Sequence, residues 1–260
     1  MTINEPLTED INTLAPYDIF EKHPDSKYWI GKVNKENSPL YYDAIGRFRA
    51  NVYIKQMRFL DEEKIDDYGR EYDEYDKHSE QFAVIENLAI NHQSNMKARV
   101  VGYGRMILKE NIDVPLPIEN QFTNVFKHNP AKIGAVEVSR FISRHENDLV
   151  QHTIGLSVIR AMTHCGAEKD IEIAYFEIER PLLRILKRIG LPLVQLEEPQ
   201  SVNEPGGVRQ LYPIAINPYE ILDSVTTDLH SNYILRDFFI QESSNSGTGY
   251  YPEELVGGTL

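Results

Sequence analysis

The chain has 260 residues, 41% of them hydrophobic and 10% aromatic, enough for the core of one generous domain with tails. Its 27 Lys and Arg against 40 Asp and Glu leave a formal charge of −13, and a surface this acidic argues against sequence-independent nucleic-acid binding, which needs a basic footprint. The single cysteine, Cys165, excludes an internal disulfide framework and suits a reducing compartment.

The opening MTINEPLTEDINTLAPYDIF has no basic segment followed by an apolar run, so no secretory signal is expected. No stretch approaches the ~20 apolar residues of a membrane helix, and a cytoplasmic domain without a membrane span is the expectation. Residues 1–16 read as a flexible tail, 17–240 as one domain, and 241–260, rich in Ser and Gly, as a second flexible tail.

From Pro39 to Met57, the apolar residues Tyr41, Ile45, Phe48, Val52 and Tyr53 recur at helical spacing, with Ser38 and Pro39 as N-cap and first turn. The charged, aperiodic segment from Asp61 to Glu80 reads as a loop. Gln81 to Ile90 and Lys97 to Leu108 read as two strands joined by the turn-prone NHQSN. Prolines bracket a short helix around Glu119 to Phe126, and Gly134 to Ser143 reads as a strand. Leu149 to Cys165 predicts a buried helix that Gly166 ends. Ile171 to Ile178 is a strand, Arg180 to Ile189 a helix with Pro181 near its start and Gly190 past its end. Leu191 to Leu196 and Val208 to Ile216 complete the strands, and a last helix runs from Pro218 to Ser224.

A meander followed by strand–helix–strand crossovers implies an α/β fold of the α+β type, a mixed sheet with helices on both faces. That order is the pattern of the GNAT acyltransferase fold, a three-layer α-β-α sandwich with a splayed central sheet.

Several motifs then fall in series. Arg49 and Tyr53 stand four apart on the first helix, and Phe59 follows six residues later. Glu71, Asp73 and Asp76 form an E-x-D-x-x-D loop. Gly102 to Arg105 ends a strand as G-x-x-R, and Phe122 lies in the next helix. Glu137 to Phe141 reads E-x-S-R-F, and Arg184 to Gly190 reads R-x-L-K-R-x-G. In this ordered series, over about Tyr41 to Val194, the chain resembles the acyl-homoserine-lactone synthases, the LuxI-type autoinducer synthases. It departs from them at Phe59, where the family carries Trp, and in longer stretches before Glu71 and before Arg105. The segment Arg209 to Pro213, R-Q-x-Y-P, is similar to one in exosortase-associated acyltransferases, and N-acyl amino acid synthases belong to the same broad set.

The resemblance implies a quorum-sensing signal synthase that moves a fatty acyl group from acyl carrier protein to S-adenosylmethionine, with no tightly bound cofactor and no metal. It implies catalytic roles for Glu71, Asp73, Asp76, Arg105, Glu137 and Arg140, and a substrate pocket of Arg49, Tyr53, Phe59, Phe122 and Phe141. Such chemistry needs a deprotonated amine, donors for the oxyanion and an apolar slot for the acyl chain. Carboxylates can accept the amine proton, or bind a sulfonium and an ammonium by charge. Arg105 and Arg140 either hold those carboxylates or grip the substrate's own. Backbone N–H groups of a bulged strand near Phe141 to Arg144 are the expected oxyanion donors.

Gln151 to Leu156 does not fit a glycine-rich pyrophosphate loop, which favours a carrier protein over coenzyme A. Carrier proteins are acidic, so Arg144, Arg160, Arg184, Lys187 and Arg188 are the docking candidates. Tyr53, Phe59 and Phe122 suit a core as well as a pocket. His145, His152 and His164 fit no zinc spacing, and nothing nearby activates Cys165. The alternatives are an N-acyl amino acid synthase or exosortase-associated acyltransferase using another amine, and a non-catalytic acyl or carrier-protein binding module.

Overall fold

The structure, a computed structural model, describes residues 19–21, 28–36, 38–87 and 98–227. The expected tails at 1–16 and 241–260 and the NHQSN turn lie outside the described residues.

The strands are β1 (Ile19–Glu21), β2 (Tyr28–Lys32), β3 (Ser79–Asn87), β4 (Ala98–Leu108), β5 (Val136–Ser143), β6 (Ala174–Glu179), β7 (Val194–Gln195), β8 (Gln200–Glu204) and β9 (Gly207–Ile216). The helices are α1 (Pro39–Arg49), α2 (Pro117–Gln121), α3 (Thr123–Phe126), α4 (Asp148–Glu168), α5 (Arg180–Arg188) and α6 (Pro218–Thr227). One sheet runs β1-β2-β3-β4-β5-β6-β9-β7, with β8 paired to β9. Among the described strands, only β5 and β6 pair in parallel, as α4 is the crossover between them.

Side-chain alternation divides the core between two faces. Phe82, Val84 and Val138 pack under α4 and α5, while Ala83, Ile85 and Tyr103 pack under α1. A third cluster joins α2 and α3 to Ile107, Tyr175 and Leu211. Gly102 and Gly104 let α4 lie close on β4, since a Cβ there would meet Ile154 Cγ2 at 2.4 Å and Val158 Cγ1 at 2.6 Å. The result is the expected three-layer sandwich with a mixed sheet.

Some elements differ from expectation. The first helix keeps its reach but changes its winding. Past Arg49 it becomes a π-helical turn, Ala50–Gln56, with Met57 N–H bonded to Val52 O at 2.9 Å. Gly166 does not end α4, which runs on to Glu168. Gly166 serves packing, because a Cβ there would meet Pro218 Cγ at 3.0 Å. Strands β1, β2 and β8 were not expected, and β7 is shorter than Leu191 to Leu196.

β5 parts from β6 after Val138↔Phe176, while β6 continues against β9 as far as Glu179↔Leu211. On its other side β5 carries a bulge, where Arg140 and Phe141 lie between Ser139↔Arg105 and Ile142↔Tyr103. Arg140 takes up the bend at φ 54, a conformation that strains a residue with a Cβ. The splay and the bulge open a wedge in the middle of the sheet.

Candidate active site

The acidic loop is held in place by its own backbone chemistry. Glu71 N–H bonds to Gly46 O at 3.0 Å. Tyr72 stacks on Tyr42 at 4.8 Å and donates its hydroxyl to Tyr42 O at 2.6 Å. Gly46 leaves room for this ring, since a Cβ there would sit 2.6 Å from Tyr72. Asp73 then caps the turn Glu74–His78 by accepting from Tyr75 N–H at 3.0 Å, and Asp76 accepts from Asp73 N–H at 2.7 Å. The spacing of Asp73 and Asp76 is therefore that of a capping box.

Three guanidinium groups meet the three loop carboxylates. Arg49 donates Nε to Glu71 Oε2 at 2.5 Å and Nη1 to Asp76 Oδ1 at 2.6 Å. Arg105 forks onto Asp73, with Nη1 to Oδ1 at 2.5 Å and Nη2 to Oδ2 at 3.0 Å. It also reaches Asp76 Oδ1 at 2.9 Å and Ser139 Oγ at 3.1 Å. Arg140 Nη2 bridges Glu71 Oε1 at 3.1 Å and Asp73 Oδ2 at 3.2 Å. Charge-assisted, partly bidentate contacts of this kind fix geometry as well as charge. Burial alone would raise Glu71 and Asp73. Arg49 and Arg140 around Glu71, and Arg105 with Arg140 and Arg49 around Asp73, outweigh it and hold both below the usual carboxylate range.

A cleft of about 450 Å³ fills the wedge between β5 and β6. Asp73, Arg105, Glu137, Ser139 and Arg140 form its polar wall. Val138, Phe141, Ile159, Met162, Phe176, Leu182 and Leu186 form an apolar slot beside it. Tyr53 lines the cleft, donates its hydroxyl to Phe141 O at 3.1 Å, and lies under the Arg140 guanidinium at 5.4 Å.

Of the residues expected in the site, Asp73, Arg105, Glu137, Arg140, Tyr53, Phe59 and Phe141 line this cleft. Glu71, Asp76 and Arg49 stand behind it, at 1%, 6% and 0% exposure. Arg49 is thus paired with Glu71 and Asp76 and does not line the cleft. Phe122 is removed from the pocket, because its ring is fully buried with Ile118 and Phe126 under α2 and α3. Among the docking candidates, Arg160 is 5% exposed and cannot meet a partner. Arg184, Lys187 and Arg188 are exposed on α5, and Arg144 is half-buried. Cys165 belongs to the core, where burial pushes its thiol up to about 11, consistent with an inert residue.

Three cleft residues escaped the sequence reading. Ser139 is the serine of the E-x-S-R-F strand and lines the cleft beside Arg105. Arg209 of β9 lies over Phe59, its guanidinium carbon 3.5 Å from the ring centroid, and pairs with Glu179 and, at 2.8 Å, with Glu204. The β8–β9 turn approaches closely there, with Gly206 N–H on Arg58 O at 2.6 Å. Phe59 therefore faces a cation from the sheet, at the position where the sequence departs from the family it resembles. Glu177 of β6 also lines the cleft, and its one signal in the sequence was an acidic residue between Phe176 and Ile178 of an apolar strand. Burial, the larger cause, and the Glu177 carboxylate push Glu137 well above the usual range. Glu137 Oε2 accepts from Ile118 N–H at 2.8 Å.

Among the described residues, no group of three His, Cys, Asp or Glu side chains is placed to hold a metal ion. No helix there is long and apolar enough to cross a membrane.

The fold is shared with solved structures. The AHL synthase LasI superposes with a TM-score of 0.55 at 18% identity, covering 74% of this chain and 89% of that one. TofI in a ternary complex with an inhibitor and MTA gives 0.55 at 17%, covering 76% and 95%. The CoA-dependent acyl-homoserine lactone synthase BjaI with MTA gives 0.53 at 18%, covering 75% and 86%. No curated protein sequence matches the chain. The family model described as autoinducer synthase matches residues 36–214, a span that holds the acidic loop, the bulged strand and both sides of the cleft, so the chain is an acyltransferase that belongs to the autoinducer synthase family.

Proposed function

We propose that the chain transfers a fatty acyl group from an acyl carrier protein thioester to the amine of S-adenosylmethionine, giving an acyl-homoserine lactone signal after lactonisation. The observation that carries this reading is the cleft itself, a polar wall meeting an apolar slot where the central sheet parts. The acyl chain fits the slot lined by Val138, Ile159, Met162 and Leu186. The wedge beside the Arg140 bulge supports the expected oxyanion site, because β5 has no ladder partner in β6 past Val138.

The loop carboxylates are already matched by guanidinium groups, so their role is to orient Arg105 and Arg140 more than to attract a cation by net charge. Arg140 Nε is buried without a hydrogen-bond partner among the described residues. The side chain as a whole lines the cleft with 22% of its surface exposed, which favours Arg140 as a grip for the acceptor's carboxylate.

The start of α4 supports a carrier-protein donor. Asn147 accepts from Leu149 N–H at 2.9 Å and Val150 N–H at 3.2 Å, so the N–H groups that would cradle a pyrophosphate are already engaged. Arg184, Lys187 and Arg188 on α5 offer an exposed basic ridge to an acidic carrier.

Purified protein given acyl carrier protein thioester and S-adenosylmethionine is expected to release methylthioadenosine and an acyl lactone, both read by chromatography and mass spectrometry. Release of thiol only with another amine moves the answer to an N-acyl amino acid synthase or an exosortase-associated acyltransferase. The cation over Phe59 is the feature that favours this second reading. Faster turnover with acyl-coenzyme A than with the carrier thioester would replace the donor.

A further inference from the structure

An amine must lose a proton before it attacks a thioester, and most carboxylates in and behind the cleft are already paired. Glu71, Asp73 and Asp76 are tied to Arg49, Arg105 and Arg140. Glu179 and Glu204 are tied to Arg209. A carboxylate held this way gains little by accepting a proton, because it would give up a charge-assisted pair. Glu137 accepts from Ile118 N–H behind the cleft at 2% exposure. Glu177 differs from all of these: Oε1 is buried and has no hydrogen-bond partner among the described residues.

Its position in the sheet explains why. Glu177 is the first β6 residue past the last β5–β6 pair, Val138↔Phe176. It keeps a ladder partner only in β9, at Pro213. Strand alternation puts it on the same face as Glu137, whose partner is Tyr175. A carboxylate is thus set in the opened seam of the sheet, between the polar wall and the apolar slot.

We propose that Glu177 is the general base of the acyl transfer, taking the proton from the attacking amine. The nitrogen arrives as an ammonium and gives one proton to Glu177. The lone pair it gains forms the new C–N bond at the thioester carbonyl carbon. The C–S bond then breaks with its electron pair on sulfur, and the second nitrogen proton goes to that thiolate. Glu177 returns its proton to solvent when the product leaves.

The surroundings of Glu177 suit that task. Burial, the largest influence, pushes its carboxyl up to about 7, with Arg209 and Arg140 lowering it and Glu204 raising it. Glu137 stands across the seam, where burial first and the Glu177 carboxylate second raise its own carboxyl above the usual range. A base whose proton affinity lies near the working pH is the most effective kind.

This inference rests on the proposed transfer to an amine and not on which amine it is. The test is the pH dependence of kcat/KM for the amine, read by thiol release from acyl carrier protein thioester between about pH 5.5 and 9. Wild type is expected to rise through a midpoint near 7. E177Q is expected to lose at least ~10²-fold in kcat/KM at neutral pH. Its midpoint should move to that of a free α-amine, about 7.7–8.0. E177D, which still titrates, should bring the midpoint back below that of E177Q, an outcome that a purely structural role would not give. An unchanged midpoint in folded E177Q overturns the proposal and leaves the acceptor reading untouched. If wild type acts on an amino acid and not on S-adenosylmethionine, the acceptor reading fails while the Glu177 experiment runs unchanged on that amine. Thiol release with no amine at all defeats both.

Discussion

The two walls of the cleft use the same residue type in opposite ways. On the loop side, Glu71, Asp73 and Asp76 are locked to three guanidinium groups, and Glu71 and Asp73 are held as anions. On the β5–β6 side, Glu137 and Glu177 lie where the sheet parts with no cation bonded to them, and burial drives both toward the neutral acid. Both walls are buried, so burial does not decide the outcome. What differs is whether a guanidinium lies within hydrogen-bonding reach. On the proposed reading, carboxylates of the first kind position their neighbours, and Glu177, of the second kind, exchanges a proton.

The loop wall is easiest to break through Arg49, which has no exposed surface. Arg49→Met leaves Glu71 and Asp76 short of their shared counter-charge, and removing one partner of a buried pair costs about 3–5 kcal/mol. Urea unfolding should show that loss in full. A change below about 1 kcal/mol would mean that Arg105 and Arg140 suffice and that the wall is not the interlocked unit drawn above. Asp73→Asn should act next most strongly, and on turnover first. It keeps the side-chain shape but frees the Arg105 fork seen at 2.5 and 3.0 Å. Misplacing a positioning group by about 1 Å can cost ~10² in rate, so kcat/KM should fall about that much. Unaltered kinetics would reduce Asp73 to a helix cap.

Much of this wall was legible in the sequence. The E-x-D-x-x-D loop of Glu71, Asp73 and Asp76, the helical spacing of Arg49 and Tyr53, and the G-x-x-R and E-x-S-R-F strands all name residues that the structure brings together. Depth was not legible, because spacing gives the face of an element but not what lies over that face. Glu71 and Asp73 are two apart in one motif, yet Glu71 is behind the cleft and Asp73 is in it. Phe122, clustered with the distant Ile107, Tyr175 and Leu211, and Arg160, 5% exposed, are further cases of depth that spacing does not give. Strand β2, Tyr28–Lys32, is buried on both faces at Trp29, Ile30 and Gly31, so it lacked the alternation that marks a strand. Glu177 was hidden because its meaning depends on where β5 leaves β6, a property of two strands together.

The sign of pH linkage separates the walls further. Glu71 and Asp73 have folded values below the unfolded ones. Their stabilisation is present above about pH 4 and is lost as the pH falls through the folded values. Glu137 and Glu177 have folded values above the unfolded ones. The folded state then keeps protons that the unfolded chain releases, and stability falls as the pH rises from about 4.3 toward and past 7. Glu177→Gln should therefore stabilise the protein at pH 8 relative to pH 5, by on the order of 2–3 kcal/mol. Urea midpoints of both proteins at the two pH values measure it, and an effect equal at both would place Glu177 in contact with water or a cation.

The smallest effect tests how the second wall is tuned. Arg209 reaches the cleft from β9, stacked on Phe59 and paired with Glu179 and Glu204. It lowers the proton affinity of Glu177, while Glu204 raises it. Arg209→Ala removes the first influence and releases Glu204 to exert the second, so both changes act in one direction. Stability should fall by about 0.5–1 kcal/mol, the usual worth of a cation stacked on an aromatic ring. The acid limb of kcat/KM should move to higher pH, opposite to what loss of a nearby carboxylate would do. A limb that stays in place, with the acceptor's KM raised instead, would make Arg209 a contact for the acceptor and detach it from Glu177. The direction of that shift therefore distinguishes a residue that tunes the base from one that binds the substrate.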